Sequence, residues 1–157
     1  MKKIIIRAIG KANDPWQKEA IQSYEKRLKP FVNVSIIELP EGHSNSAKPN
    51  IGNTLQTEAD SLLKSLPENA IIIALDETGK EVPSATLSHN IETWSQNGES
   101  LVFLIGGSWG LSDEIRSQAN HIISFGKITL PHILARIVLL EQLYRAEMIV
   151  RGKEYHK

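Results

Sequence analysis

The sequence predicts an α/β fold of the doubly wound kind: a mainly parallel sheet with helices on both faces. Three observations lead there. Five short runs are solidly apolar and rich in β-branched residues, as strands buried on both faces must be. Between them lie segments with helical spacing and recognisable caps. The 157-residue length is most simply one domain, residues 1–157, long enough for a full core.

The first strand is "KIIIRAI" (3–9), closed by Gly10. Asp14 before Pro15 supplies an N-cap and a proline at the first helical position, so a helix runs from there to about Lys29, ahead of Pro30. "VNVSIIEL" (32–39) is the second strand, stopped by Pro40, and the polar stretch 40–53 reads as a loop. Asn53 is the expected cap of a second helix through Leu66, with Leu55, Ala59, Leu62, Leu63 and Leu66 at helical spacing. "AIIIAL" (70–75) is the third strand, with a turn from Asp76 to Gly79 after it. Ser84 is the expected cap of a helix reaching Asn97 and Gly98. "SLVFLI" (100–105) is the fourth strand, and Ser112 caps a short helix with Asp113 and Glu114 in its first turn. "HIISF" (121–125) is the fifth strand, and Pro131 opens a last helix that ends near Gly152.

In folds of this class ligands bind beyond the carboxyl ends of the strands. Leu75 with Asp76, Gly106 with Gly107, and Phe125 with Gly126 stand at three such ends, so permissive backbone gathers on one side of the sheet. The ligand is not a phosphate held in a usual glycine loop. "AIGKAND" after the first strand matches neither G-x-G-x-x-G nor a P-loop, and "GGSWG" is no nucleophile elbow. No acidic pair follows the first strand, which counts against a phosphoacceptor receiver domain. Cysteine is absent, and His43, His89 and His121 lack metal-ligand spacing, so no metal is expected. No apolar run approaches about 18 residues, and "MKKIIIRAIGK" reads as a strand rather than a signal peptide, so the expected setting is cytoplasmic.

The net charge is zero but unevenly spread. Residues 1–29 carry eight Lys or Arg against three acids and residues 127–157 six against three, while residues 30–126 carry four against twelve. Either the basic ends are ordinary solvated surface, or they converge into a surface for a polyanion. In the last helix apolar side chains point nearly all round, from Ile133 and Leu134 to Met148 and Ile149. Such a helix needs cover on more than one side, which a second subunit provides most simply. Glu141 and Arg145, four apart, form either a routine pair or an interface pair near a site; His132 and Arg136 lie on the opposite side, facing the strand ends.

The strand leading into "IGGSWGL", the "LPH" opening a long helix, "EQLYRA" and a terminal "YHK" together resemble the ribosomal RNA large subunit methyltransferase H family, small members of the SPOUT methyltransferases. The likeness covers essentially the whole chain, including "YEKRL" and "IIELP". The resemblance implies a SPOUT-type fold whose carboxyl-terminal segment forms a trefoil knot, which rules of chain connection alone would not suggest. It implies a homodimer, the cofactor S-adenosylmethionine, and methylation of N3 of a pseudouridine in 23S rRNA of the assembled ribosome. The family's cofactor contacts match Leu75, Gly106 and the run Phe125, Gly126, Lys127, Ile128, Thr129 and Leu130. Here a side chain at Gly106 is expected to intrude on the cofactor.

Methylation at N3 requires the ring proton to leave, so a base within hydrogen-bond reach is expected. His156 is the candidate base, Tyr155 a partner that stacks on or hydrogen-bonds the nucleobase, and Arg145 or Arg136 a cation for the RNA backbone or the developing anion. Two other readings are a non-catalytic RNA- or ribosome-binding dimer that retains the pocket, and a related SPOUT enzyme acting on tRNA. The titratable tail counts against the first and the absence of any appended domain against the second.

Overall fold

The computed structural model describes residues 1–43, 48 and 50–157. Its strands are β1 (Lys2–Ile9), β2 (Val32–Leu39), β3 (Ala70–Glu81), β4 (Ser100–Ile105) and β5 (His121–Ser124). All pair in parallel, in one sheet of order β2-β1-β4-β3-β5. The helices are α1 (Pro15–Leu28), α2 (Ile51–Leu63), α3 (Ser84–Trp94), α4 (Asp113–Gln118) and α5 (His132–Val150).

Side chains alternate across the sheet, so each strand serves two cores. All six residues of β4 are buried. Leu101, Phe103 and Ile105 pack with Ile21 and Leu28 of α1, Leu87 and Ile91 of α3, and Leu139, Leu140 and Leu143 of α5. Val102 and Leu104 face the other way, against Ala59 and Leu62 of α2 and Ile115 of α4. Full burial of each such side chain contributes about 1.5–3 kcal/mol. This two-sided demand is why the strands read as unbroken apolar runs.

Several boundaries differ from expectation. Asn50, not Asn53, caps α2, its side chain accepting from the Asn53 amide at 3.0 Å. Residues 44–47 and 49 of the expected 40–53 loop lie outside the described residues. The helix ends at Leu63 rather than Leu66, where Arg7 reaches across from β1 to bond the carbonyls of Leu62 at 3.0 Å and Lys64 at 2.5 Å. The expected turn from Asp76 to Gly79 lies inside β3, which bulges there: Leu75 and Lys80 both stand opposite Ile123. At Ser84 the hydroxyl bonds Gln142 at 2.6 Å instead of capping, Pro83 takes the cap position, and α3 stops at Trp94 instead of reaching Gly98.

Candidate active site

The carboxyl ends of β3, β4 and β5 open into a cleft of about 420 Å³, within the usual span of small-molecule sites, roughly 300–1,000 Å³. Leu75, Ile105, Ile123, Phe125 and Leu130 give it apolar walls; Gly106, Gly107, Gly110 and Gly126 give it bare backbone; His132 and Ala135 of α5 close one side. Ile128, Thr129, Trp109 and Glu77 also line it. Of the eight residues matched to the cofactor run, the structure brings all but Lys127 to this cleft; Lys127 is exposed to solvent. Apolar walls with main-chain amides and carbonyls suit an adenine ring and a thioether arm, and the Glu77 and Asp76 carboxylates suit a cationic group.

Local chemistry explains the cleft's shape. At the end of β4 the chain makes a tight turn, the Gly110 amide donating to the Gly107 carbonyl at 3.1 Å. A Cβ on Gly106 would run into the Gly110 carbonyl, and Gly110 has φ +77°. Glycine at 106 is therefore required by the closure of the loop itself, and the same residue lines the cleft. Asp76, expected at a strand end and in a turn, lies within β3 and lines the cleft. Burial would push its carboxyl up, but hydrogen bonds from Thr78 and from Arg116 at 3.0 Å outweigh this and hold it below its ordinary value.

His132 was expected to face the strand ends. It lines the cleft, and Arg136 one turn on is 1% exposed, paired with Glu38 at 2.6 Å and with the Gly10 carbonyl at 3.0 Å. Arg136 is thus a buried tie between α5 and the ends of β1 and β2, not a contact for RNA backbone. Glu58 of α2 was read only as part of a helix. It is 4% exposed, accepts from the Gly42 amide at 3.0 Å, and leaves its second oxygen without a partner.

The three catalytic candidates come together, but away from the cleft. Arg145 bonds Glu141 at 2.6 Å, Tyr155 donates to the same carboxylate at 3.1 Å, and the Arg145 guanidinium lies 4.8 Å from the Tyr155 ring. His156 Nδ1 sits 3.1 Å from an Arg145 nitrogen, and Tyr144 meets Tyr155 edge-on at 5.0 Å. Burial, reinforced by Glu141, pushes the Tyr155 hydroxyl up, so it remains a donor at neutral pH. The tail is docked on its own helix. Arg145 lies thirteen residues from His132, roughly 20 Å along the helix, so within one chain the tail and the cleft are apart.

The basic ends do meet. Arg27 of α1 reaches the Tyr144 ring of α5 at 5.9 Å, and Arg151 covers Phe31 at 4.6 Å. Lys26, Lys29 and Lys153 are exposed on the same adjoining segments. Among the described residues, no helix is long and apolar enough to cross a membrane.

The fold agrees with what the chain is similar to. A family model described as "Predicted SPOUT methyltransferase" matches residues 1–156. A Streptococcus suis protein named "Ribosomal RNA large subunit methyltransferase H" is 41% identical over 158 residues, covering 99% of both chains. A protein of the same name from Carboxydothermus hydrogenoformans is 39% identical over 157 residues, covering 98% of this chain and 99% of its own. Among solved structures, one described as "a probable methylase family protein from Haemophilus influenzae Rd KW20" superposes with a TM-score of 0.59 at 11% identity, over 99% of this chain and 71% of that one, which bears on fold alone. With a family model spanning nearly its whole length and relatives near 40% identity over all of it, the chain belongs to the SPOUT methyltransferases.

Proposed function

We propose that the chain is an S-adenosylmethionine-dependent methyltransferase acting on N3 of a pseudouridine in 23S rRNA of the assembled ribosome, in the cytoplasm and as a homodimer. The observation that carries this reading is the cleft at the ends of β3, β4 and β5, whose apolar walls and bare backbone fit a nucleoside thioether and hold no phosphate loop. Relatives near 40% identity that are named for rRNA methylation supply the substrate class. A carboxyl-terminal knot, implied by the family, belongs to the same proposal.

When bound, the cofactor supplies a methyl group on a sulfonium. The chain's residues align the acceptor with it, and holding reactants in line is worth several kcal/mol, up to roughly 7–11. Leu75, Phe125 and Leu130 exclude water from that line. Tyr155 and His156 of one subunit lie over the cleft of the other, and the exposed lysines and arginines around Arg27 and Arg151 hold the RNA by shape and charge. Arginine can only donate, so Arg145 fixes Nδ1 of the docked His156 as the acceptor and leaves Nε2 carrying the hydrogen. His156 accepts the N3 proton only after leaving Arg145.

Calorimetric titration with S-adenosylmethionine is expected to give saturable binding, weakened about tenfold or more in Phe125→Ala by loss of an apolar wall, since about 1.4 kcal/mol is a factor of ten. Mass spectrometry of rRNA nucleosides, with and without the gene, is expected to lose one N3-methylpseudouridine. No cofactor binding, or an unchanged nucleoside profile, overturns the assignment.

A further inference from the structure

Beside the cleft, over the ends of β1 and β2, lies a second crevice of about 580 Å³. His132 stands in the lining of both. Its ring is seated on Gly10, where a Cβ would come within 2.7 Å of Nε2 and the backbone has φ +94°. Glycine ends β1 because a side chain there would collide with the imidazole and strain the chain. The two cavities therefore meet at one side chain.

The floor of this crevice is rigid. One Glu38 oxygen, Oε2, accepts both from buried Arg136 at 2.6 Å and from the Ala12 amide at 2.7 Å. The side chain of Glu38 nevertheless keeps 33% of its surface exposed, so its other oxygen remains for a ligand. Burial would push the Glu38 carboxyl up, but the bonds from Arg136 and Ala12 outweigh it and hold it low, keeping it an acceptor at neutral pH. Around the rim stand Lys11, Asn13, Gln17 and Glu41. Gln17 spends its oxygen on the Asp14 amide at 3.2 Å and keeps its amide hydrogens. Both signs of charge and both kinds of hydrogen-bonding group share the crevice. That suits a neutral base edge and not a phosphate.

A pseudouridine ring differs from uridine in carrying a free N1–H, which lies across C2=O from N3. We propose that this crevice binds the N1–H and C2=O edge of the target base, with Glu38 accepting N1–H and Asn13 and Gln17 donating to C2=O. N3 is then turned past His132 toward the cofactor cleft. This rests on the methyltransferase reading above and makes Glu38 the residue that distinguishes pseudouridine from uridine. A site built around a buried hydrogen bond rejects an analogue lacking that group by roughly 10⁴-fold or more.

The test compares methyl transfer to ribosomal particles carrying pseudouridine or uridine at the target position, with cofactor affinity measured separately. Glu38→Gln preserves an oxygen for Arg136 and Ala12 but presents an NH₂ where N1–H must be accepted. It is expected to lower efficiency on pseudouridine by about 100-fold or more, the scale of losing alignment. Transfer to uridine particles is expected to change little, and cofactor affinity to stay within about twofold, as for independent sites. Should Glu38→Gln fail to fold, Asn13→Ala with Gln17→Ala is expected to lower transfer to both particles by about tenfold, because uridine presents its C4=O where pseudouridine presents C2=O. Discrimination unchanged in Glu38→Gln, no effect of the Asn13 and Gln17 pair, or equal wild-type activity on both particles overturns the subsite alone. Wild-type protein that binds cofactor but methylates neither particle overturns the enzymatic reading together with it.

Discussion

Glu58 illustrates how a single residue departs from what its place in the sequence suggests. On α2 its position reads as one helix residue among others, yet the side chain is buried behind Gly107, and a Cβ on Gly107 would come 3.3 Å from its carboxylate. Burial is the main force raising its pKa, with Glu41 adding to it and the Gly42 amide opposing. A carboxyl raised in the fold stabilises the protein fully below its unfolded value, about 4.3, and that contribution is lost as pH rises through the folded value. Glu58→Gln retains an acceptor for Gly42 and does not ionise. It is therefore expected to raise Tm at pH 7 by about 2–4 °C, the size of a ~1 kcal/mol change in a chain this long. The difference is expected to shrink below pH 4, and thermal melts across pH check both points. Gly106 carries a similar lesson: Gly106→Val breaks a loop before it touches a ligand, so Phe125→Ala is the cleaner probe of the cleft.

Elements depart from the sequence where a distant partner sets their ends. Arg7, in the middle of β1, terminates α2, and the ladder to β5 carries β3 through four residues that look like a turn. Gly79 permits this because any Cβ there would meet the Ile122 and Ile123 backbone at 2.7–2.8 Å. The all-round apolar character of α5 has two sources. Ile133, Leu139, Leu140 and Leu143 are buried within the single chain against α1, α3 and the sheet, Met148 is buried as well, and Leu134 and Val138 remain partly exposed. That pair, with the exposed Val150 near the end of the helix, is available to a second subunit. Leu134→Asp is expected to convert the proposed dimer to monomer with cofactor binding retained. Met148, 5% exposed, is a folding position, so Met148→Asp is expected to give insoluble protein. Sedimentation of both variants separates the two roles, and a wild-type monomer at micromolar concentration would remove the interface.

On the scale of the whole molecule, the tail docks at Glu141 and Arg145, away from the cleft at the start of α5, and the proposed homodimer would complete a site from two chains running antiparallel. Deletion of residues 155–157 is expected to leave dimerisation and cofactor affinity nearly unchanged, while methylation of ribosomes falls by about 100-fold or more, as for loss of a general acid–base group. Full activity in the deletion would discard the role of the tail. A purified heterodimer, with Phe125→Ala on one chain and the deletion on its partner, is expected to regain one working site.

The parallel sheet, its helices and the three strand ends that open into the cleft were legible in the sequence, because burial on both faces forces unbroken apolar runs and glycine marks close backbone approach. The eight residues that the resemblance implied as cofactor contacts all lie at strand ends or in the segment leading to α5, and seven of them line the cleft. The tertiary structure alone decided that Gly106 serves its own loop, that Arg136 and Arg7 are buried ties, and that Glu58 is enclosed. It also decided that His132 separates two cavities and that the tail docks on Glu141 and Arg145. Periodicity records which face of an element is buried. It carries no record of which distant atom a polar group meets there, and those meetings set helix ends, protonation and the partition between ligand sites.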